Sequence, residues 1–217
     1  MQIHKVEQGT SEWLSLRAGI PTASSFGKII TPGGQASKQA EIYSNEKVAE
    51  LVVGKPIEGW EGNKWTEAGK DLEAQAVDAY AFIKEVDLEV VGFVTEEVGP
   101  NKQWLIGCSP DRFVHGDGLL EMKVPKPSTH IEYLLSGKVP NKYIPQIQGQ
   151  LYGTGRKWCD WMSYHPEMEP LIIRVMRDEQ YITALSGGLN RFCATVDAKL
   201  AKLEKLGYYT PVIKEAA

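Results

Sequence analysis

Apolar positions early in the chain recur at helical spacing. TSEWLSLRAG (10–19) predicts a short helix capped by Thr10 or Ser11, whose side-chain oxygen can accept a free backbone N–H of the first turn. TASSFGKII (22–30) predicts a second, starting at Thr22 or Ser24 and ending before Pro32-Gly33-Gly34. SKQAEIYSNEKVAELVVG (37–54) sets Ile42, Val48, Leu51 and Val52 at helical spacing, with Gly54 as its stop. NKWTEAGKDLEAQAVDAYAFI (63–83) does the same through Leu72, Val77, Tyr80 and Ile83. The period then changes. LEVVGFVTEE (88–97), WLIGCSPDRFVHG (104–116) and LLEMKVP (119–125) read as strands, with a turn at Gly116-Asp117-Gly118. In the third, Leu119, Met122 and Val124 are apolar, while Glu121 and Lys123 share the opposite face by the two-residue period. Helical spacing returns in THIEYLLSG (129–137) and KYIPQIQGQLYGTG (142–155), where Pro145 is tolerated in a first turn. WCDWMSYHP (158–166) and LIIRVMRD (171–178) predict two more strands. Leu185, Leu189, Phe192, Val196, Leu200 and Leu203 place a long amphipathic helix at the end, or a pair broken at Gly187-Gly188.

That order predicts an α/β or α+β fold with a central mixed sheet flanked by helices. The 217 residues suit one domain with a substantial core. No apolar run approaches the roughly 20 residues of a membrane span. The opening MQIHKVEQGTSEW lacks the apolar segment of a signal peptide, so a cytoplasmic location is expected. Cys108, Cys159 and Cys193 form no CxxC and read as reduced buried thiols.

The net charge of -4 says less than its distribution. Residues 61–97 carry ten acids and three bases, whereas residues 122–158 carry six bases and one acid. Two solvated faces account for this, and so does an acidic metal-binding pole beside a basic phosphate-binding one.

The candidate chemistry lies in CSPDRFVHGDGLLEMK (108–123). Asp111 is followed after nine residues by Glu121, and Lys123 stands two further on. A hairpin that sets two carboxylates side by side keeps both ionised cheaply only around a cation. A hard divalent ion suits such oxygen donors, with the Met122 backbone carbonyl also in reach. Lys123 on the same face can address the water such an ion activates, or the charge that develops on phosphate. Alone, this P-D-x(n)-E-x-K spacing also describes a surface Lys–Glu pair beside a turn aspartate. Three further features extend it. Glu73, on the helix before the strands, could complete a metal site or be a solvated helix residue. Gln146, Gln148, Gln150 and Tyr152 on an otherwise apolar helix need polar partners. Arg17 with Thr22, Ser24 and Ser25 at a helix start could form an anion pocket, or be a surface Arg beside a capping Ser.

Together these motifs resemble a known family. Trp13-x-x-x-Arg17-x-Gly19-x-x-Thr22-Ala23-Ser24, then Gly69-x-x-x-Glu73, then Ser109-Pro110-Asp111, Glu121-x-Lys123-x-Pro125, Tyr143-x-x-Gln146-x-Gln148 and Tyr164-His165-Pro166 are similar to the phage lambda exonuclease and YqaJ-type viral recombinases of the PD-(D/E)xK nuclease superfamily. The resemblance implies a restriction-endonuclease-like core in a single exonuclease domain. Its parts are a helical portion with a 5′-phosphate pocket (1–60), a catalytic core (61–165), and a last strand with a C-terminal helix (166–217). It implies a Mg²⁺-dependent 5′→3′ exonuclease, with Mn²⁺ as a substitute and two ions per site. The implied substrate is double-stranded DNA, digested processively from 5′-phosphorylated ends to leave a 3′ tail for a single-strand annealing protein. The implied assembly is a homotrimeric ring, in the cytoplasm of a phage-bearing host. By position, Asp111, Glu121, the Met122 carbonyl and Glu73 hold metal, and Lys123 positions or activates water. Arg17, Ser24, Ser109, Gln146 and Tyr143 contact the DNA end. The residue aligned with the family's duplex-splitting side chain is Thr66, so Trp65 beside it is either the stacking candidate or a core tryptophan.

Other readings of the same core are a RecB-like, Cas4-like or restriction-type nuclease, and a non-catalytic DNA-end-binding protein. Three scattered cysteines argue against a four-cysteine iron–sulfur cluster, and the intact Asp–Glu–Lys set against a dead site.

Overall fold

The computed structural model describes residues 1–57 and 67–210. Two sheets carry the fold. β1 (Gln2–His4), β3 (Phe93–Val98) and β4 (Trp104–Cys108) form a small sheet in the order β1-β3-β4. β2 (Leu88–Val90), β5 (Arg112–Val114), β6 (Gly118–Lys123), β7 (Trp158–His165) and β8 (Met168–Met176) form a five-stranded sheet in the order β2-β5-β6-β7-β8. Only β6 and β7 run parallel in it, so the sheet is mixed.

Two of the predicted strands are each two. The segment 88–97 breaks at Val91-Gly92, and 104–116 breaks at Ser109-Pro110-Asp111, so each half joins a different sheet. Gly92 is needed at the first break: a Cβ there would lie 2.3 Å from the Val6 carbonyl oxygen. Proline, which cannot donate to a ladder, sits in the second. Gln8 holds the two breaks together, its Nε2 donating to the carbonyls of Val91 (2.9 Å) and Pro110 (3.1 Å). The N-terminal portion is therefore not wholly helical, since β1 pairs with β3.

The helices are α1 (Ser11–Arg17), α2 (Ala40–Val53), α3 (Glu67–Lys84), α4 (Pro127–Ser136), α5 (Ile144–Thr154) and α6 (Glu179–Lys205). Thr10 caps α1, as expected, by accepting the Trp13 N–H, and Gly54 stops α2 in a left-handed conformation. TASSFGKII forms a tighter 3₁₀ helix, Ala23–Lys28. In α2 the buried face is Tyr43, Ser44, Lys47 and Val48, whereas Ile42, Leu51 and Val52 are exposed. α6 runs unbroken through Gly187-Gly188, held by Leu185, Leu189, Phe192 and Val196 against the main core.

The central strand β6 is buried on both faces. Leu119 packs with Cys159, Trp161, Ile147 and Leu151 on the α5 side. Leu120 and Met122 pack with Ala76, Tyr80 and Met162 on the α3 side. Leu119 thus shares the face of Glu121 and Lys123 rather than that of Met122, as strict alternation requires.

Candidate active site

The β5–β6 pairing sets Arg112 opposite Leu120, and continuing that register puts Asp111 opposite Glu121. Two bonds fix the arrangement. Asp111 N–H donates to the Leu120 carbonyl at 3.2 Å, and Asp111 Oδ2 accepts the Met122 N–H at 2.6 Å. Both carboxylates are buried, Glu121 at 1% exposure and Asp111 at 7%. Arg156 holds the turn that carries them. Its Nη1 donates to the carbonyls of Val114, Gly116 and Gly118 at 2.9–3.1 Å, and its guanidinium lies 3.8 Å over the Phe113 ring.

Glu121 is held by three donors. Lys123 Nζ bonds Oε1, Gln146 Nε2 donates to Oε1 at 2.6 Å, and Gln150 Nε2 donates to Oε2 at 2.6 Å. Gln146 and Gln150 stand four apart on α5, hence on one face. Gln148 points elsewhere, donating to the Met176 carbonyl and accepting the Asp178 N–H. Gln146 is thus the member of the Q-x-Q pair that faces the carboxylates. Burial works against the Lys123 ammonium, but the charges of Glu121 and Asp111 more than offset it and raise its pKa above that of a free lysine. Tyr143 lies beneath Lys123, with Nζ 5.1 Å from the ring centroid, and packs on Trp161.

A cleft beside this cluster is lined by Arg17, Ser24, Ser109, Gln146, Gln150 and Trp13, among others. Arg17 Cζ lies over the Trp13 ring, 3.9 Å from its centroid, and Nη2 is 3.5 Å from the hydroxyls of Thr22 and Ser24. The Trp13 indole N–H donates to Ser109 Oγ at 2.9 Å. A guanidinium edge and hydroxyls facing one cleft can bind an anion bidentately. Gln146 and Gln150 line this cleft and also bond Glu121, so they form a wall shared by the anion pocket and the carboxylates.

The structure thus gathers Arg17, Ser24, Ser109 and Gln146 around one cleft, with Glu121 and Lys123 bonded to its lining glutamines from behind and Asp111 paired with Glu121. It does not bring Tyr143 into the Arg17 pocket. Glu73 is half-buried on α3, on the stripe of Ala76, Val77 and Tyr80 that covers the sheet. Among the described residues no three His, Cys, Asp or Glu side chains close on one point, so Glu73 does not join Asp111 and Glu121 in a ready-made trio. Trp65 and Thr66 lie outside the described residues. The positioning roles of Trp13, Gln8 and Arg156 depend on contacts far apart in the chain, and no local spacing signals them.

Two buried carboxylates and a backbone carbonyl make an all-oxygen donor set, which fits a hard divalent ion that keeps several waters. The buried Oε1 of Gln150 accepts no hydrogen bond among the described residues and adds a further oxygen at the same wall.

A mixed sheet carrying Asp111, Glu121 and Lys123 around its central strand defines a domain of the PD-(D/E)xK class. The chain belongs to the YqaJ-like viral recombinase domain family, whose model matches residues 12–157. It is similar to the alkaline exonuclease LHK-Exo of Laribacter hongkongensis, at 29% identity and TM-score 0.79 over 91% of this chain and 98% of that one. LHK-Exo in complex with dAMP gives TM-score 0.78 at the same identity and coverage. A phage-related exonuclease from Haemophilus somnus 129PT, at 17% identity and TM-score 0.60 over 85% of this chain and 96% of that one, shares the fold. No curated protein matches the chain.

Proposed function

We propose that the chain is a Mg²⁺-dependent 5′→3′ exonuclease that digests one strand of double-stranded DNA from a 5′-phosphorylated end, leaving a 3′ single-stranded tail for recombination by annealing. The observation that carries this reading is the shared wall. Gln146 and Gln150 face an Arg17–Ser24–Ser109 anion pocket and bond Glu121 of the carboxylate pair. Membership of a viral recombinase family and likeness to LHK-Exo support a nuclease of this type. LHK-Exo's complex with dAMP supports a site that takes a deoxynucleotide.

In this mechanism Arg17, Ser24 and Ser109 bind the terminal 5′-phosphate, which gives the enzyme its direction. Asp111 and Glu121, with the Met122 carbonyl, would hold one ion, and Glu73 would serve a second. Such ions, when bound, would supply Lewis-acid activation of water and offset charge on the leaving oxygen. Gln146 and Gln150 keep the Glu121 carboxylate turned toward the cleft. Lys123, tethered to Glu121, presents its N–H groups to the attacking water and to charge developing on the phosphate. Processivity follows if three copies close into a ring around the duplex, with a single-strand annealing protein taking up the tail in the host cytoplasm.

The test uses linear duplexes with 5′-phosphate or 5′-hydroxyl ends, and closed circles, each in Mg²⁺ or EDTA. Stepwise loss from phosphorylated ends, abolished by EDTA and by Lys123→Ala, is the expected result. Cutting of closed circles, or undiminished activity in EDTA, refutes it. A chain that stays monomeric in light scattering refutes the ring.

A further inference from the structure

Gln150 is 1% exposed, and its Nε2 donates to Glu121 Oε2 at 2.6 Å. That bond fixes the amide's orientation, because turning it over would set a carbonyl oxygen against a carboxylate oxygen. Oε1 therefore points away from Glu121. It is buried and accepts no hydrogen bond among the described residues. Gln146, four residues earlier, differs: its Oε1 lies 3.5 Å from Lys123 Nζ. A buried acceptor held in a fixed direction without a donor is rare in folded proteins and points to a partner supplied from outside the chain.

The chemistry of the cleft says which kind. Gln150 lines it together with Arg17, Ser24 and Ser109. The guanidinium and hydroxyls suit an anion. An amide oxygen repels phosphate oxygens, so Gln150 Oε1 suits an O–H donor. The same amide is bonded to Glu121, one of the two buried carboxylates. We propose that Gln150 is a positioning residue of the metal site. Its Nε2 holds Glu121 in ligating orientation, and its Oε1 accepts a hydrogen bond from a water in the shell of a divalent ion on Asp111 and Glu121. Partners of this kind set ligand orientation and metal affinity in other metal sites. The inference rests on the metal-dependent nuclease reading above. A sugar hydroxyl of the DNA end is the other O–H source, and leaving DNA out separates the two.

The experiment titrates Mn²⁺ into the DNA-free protein and follows free Mn²⁺ by electron paramagnetic resonance. The variants are Gln150→Met, close in volume without polar atoms, and Gln150→Ala, which leaves room for water. Thermal melts in EDTA identify the variant that folds. The expected result is an affinity for Mn²⁺ about 10- to 100-fold weaker in a cooperatively melting variant, with the Mg²⁺ needed for half-maximal cutting raised in proportion. Equal Mn²⁺ affinity in wild type and a folded variant overturns the inference, as does a defect that emerges only with DNA present. If the wild type binds Mn²⁺ and cuts duplexes while the variants match it, this inference alone fails. A wild type that binds no Mn²⁺ overturns the nuclease reading as well.

Discussion

Trp13 serves the anion pocket twice. Its ring supports the Arg17 guanidinium at 3.9 Å, and its N–H fills one acceptor position of Ser109 Oγ. With that lone pair taken, the Ser109 proton is what the hydroxyl can offer a phosphate. Trp13→Phe keeps an aromatic face under Arg17 and deletes the indole donor, together with part of the buried ring. A neutral hydrogen bond is worth about 0.5–1.5 kcal/mol, so KM for 5′-phosphorylated duplexes should rise about two- to tenfold. Turnover should change little, and 5′-hydroxyl duplexes should be unaffected. An equal loss on both ends would mean that Trp13 is only a core residue. Its apolar character and place in Trp13-x-x-x-Arg17 are legible in the sequence. Its bond to Ser109 is not, since the two are 96 positions apart. The cysteines are easier to read. All three are buried, and burial pushes the thiols of Cys108 and Cys193 up to about 12, helped by Glu121 and Asp197 respectively. The thiolate is the reactive form, and a pKa of about 12 leaves about one thiol in ten thousand ionised at pH 8. Mass spectrometry should find the native protein unmodified by iodoacetamide at that pH and alkylated three times in urea. Rapid labelling of the native chain would contradict the burial.

At the scale of elements, the site depends on where strands stop. Periodicity identifies the runs 88–97 and 104–116 as extended but cannot show that each changes sheet midway. Those changes are made by Gly92 against the Val6 backbone and by Gln8 across both breaks. Such contacts reach across roughly a hundred positions and leave no local period. The β5–β6 hairpin is legible, from Gly116-Asp117-Gly118, and with it the pairing of Asp111 and Glu121. Its brace is not: Arg156 reads as one base of a basic block, yet its guanidinium is committed to three carbonyls of this hairpin. Arg156→Ala leaves those acceptors to water and removes the cation over Phe113. A destabilisation of about 2 kcal/mol is expected, visible as a lower urea midpoint at unchanged m-value. Activity should fall more than stability accounts for, because the hairpin sets the spacing of the carboxylates. Lysine should not rescue it, since one ammonium cannot reproduce the planar guanidinium's packing on Phe113. An unchanged midpoint would show that the hairpin holds its register without Arg156.

Across the whole molecule, the helices that the acidic and basic blocks contribute cover opposite faces of the five-stranded sheet. α3, from the acidic block, covers the face of Leu120 and Met122, while α4 and α5, from the basic block, cover that of Leu119 and Trp161. The basic block then divides by use. Arg156 braces the hairpin, Lys157 pairs with Asp117, and Lys123 is tied to Glu121. Lys126, Lys138 and Lys142 remain exposed on the side that carries the site, with Lys142 Nζ 4.9 Å from the same Tyr143 ring that lies under Lys123. Under the proposed function, this is the face on which a chain of net charge -4 would meet DNA. If these three lysines meet backbone phosphates, replacing them by alanine removes the counterion release that each one drives. The slope of log K against log salt should then shallow by about 0.9 for every phosphate no longer neutralised. Fluorescence anisotropy of a labelled duplex, from low to physiological salt, measures that slope. Binding should weaken most at low salt, and cutting at saturating DNA should keep its rate, because the three lysines are exposed whereas Asp111 and Glu121 are buried. A slope identical to wild type would place the DNA on another surface and leave these lysines as ordinary solvated charges.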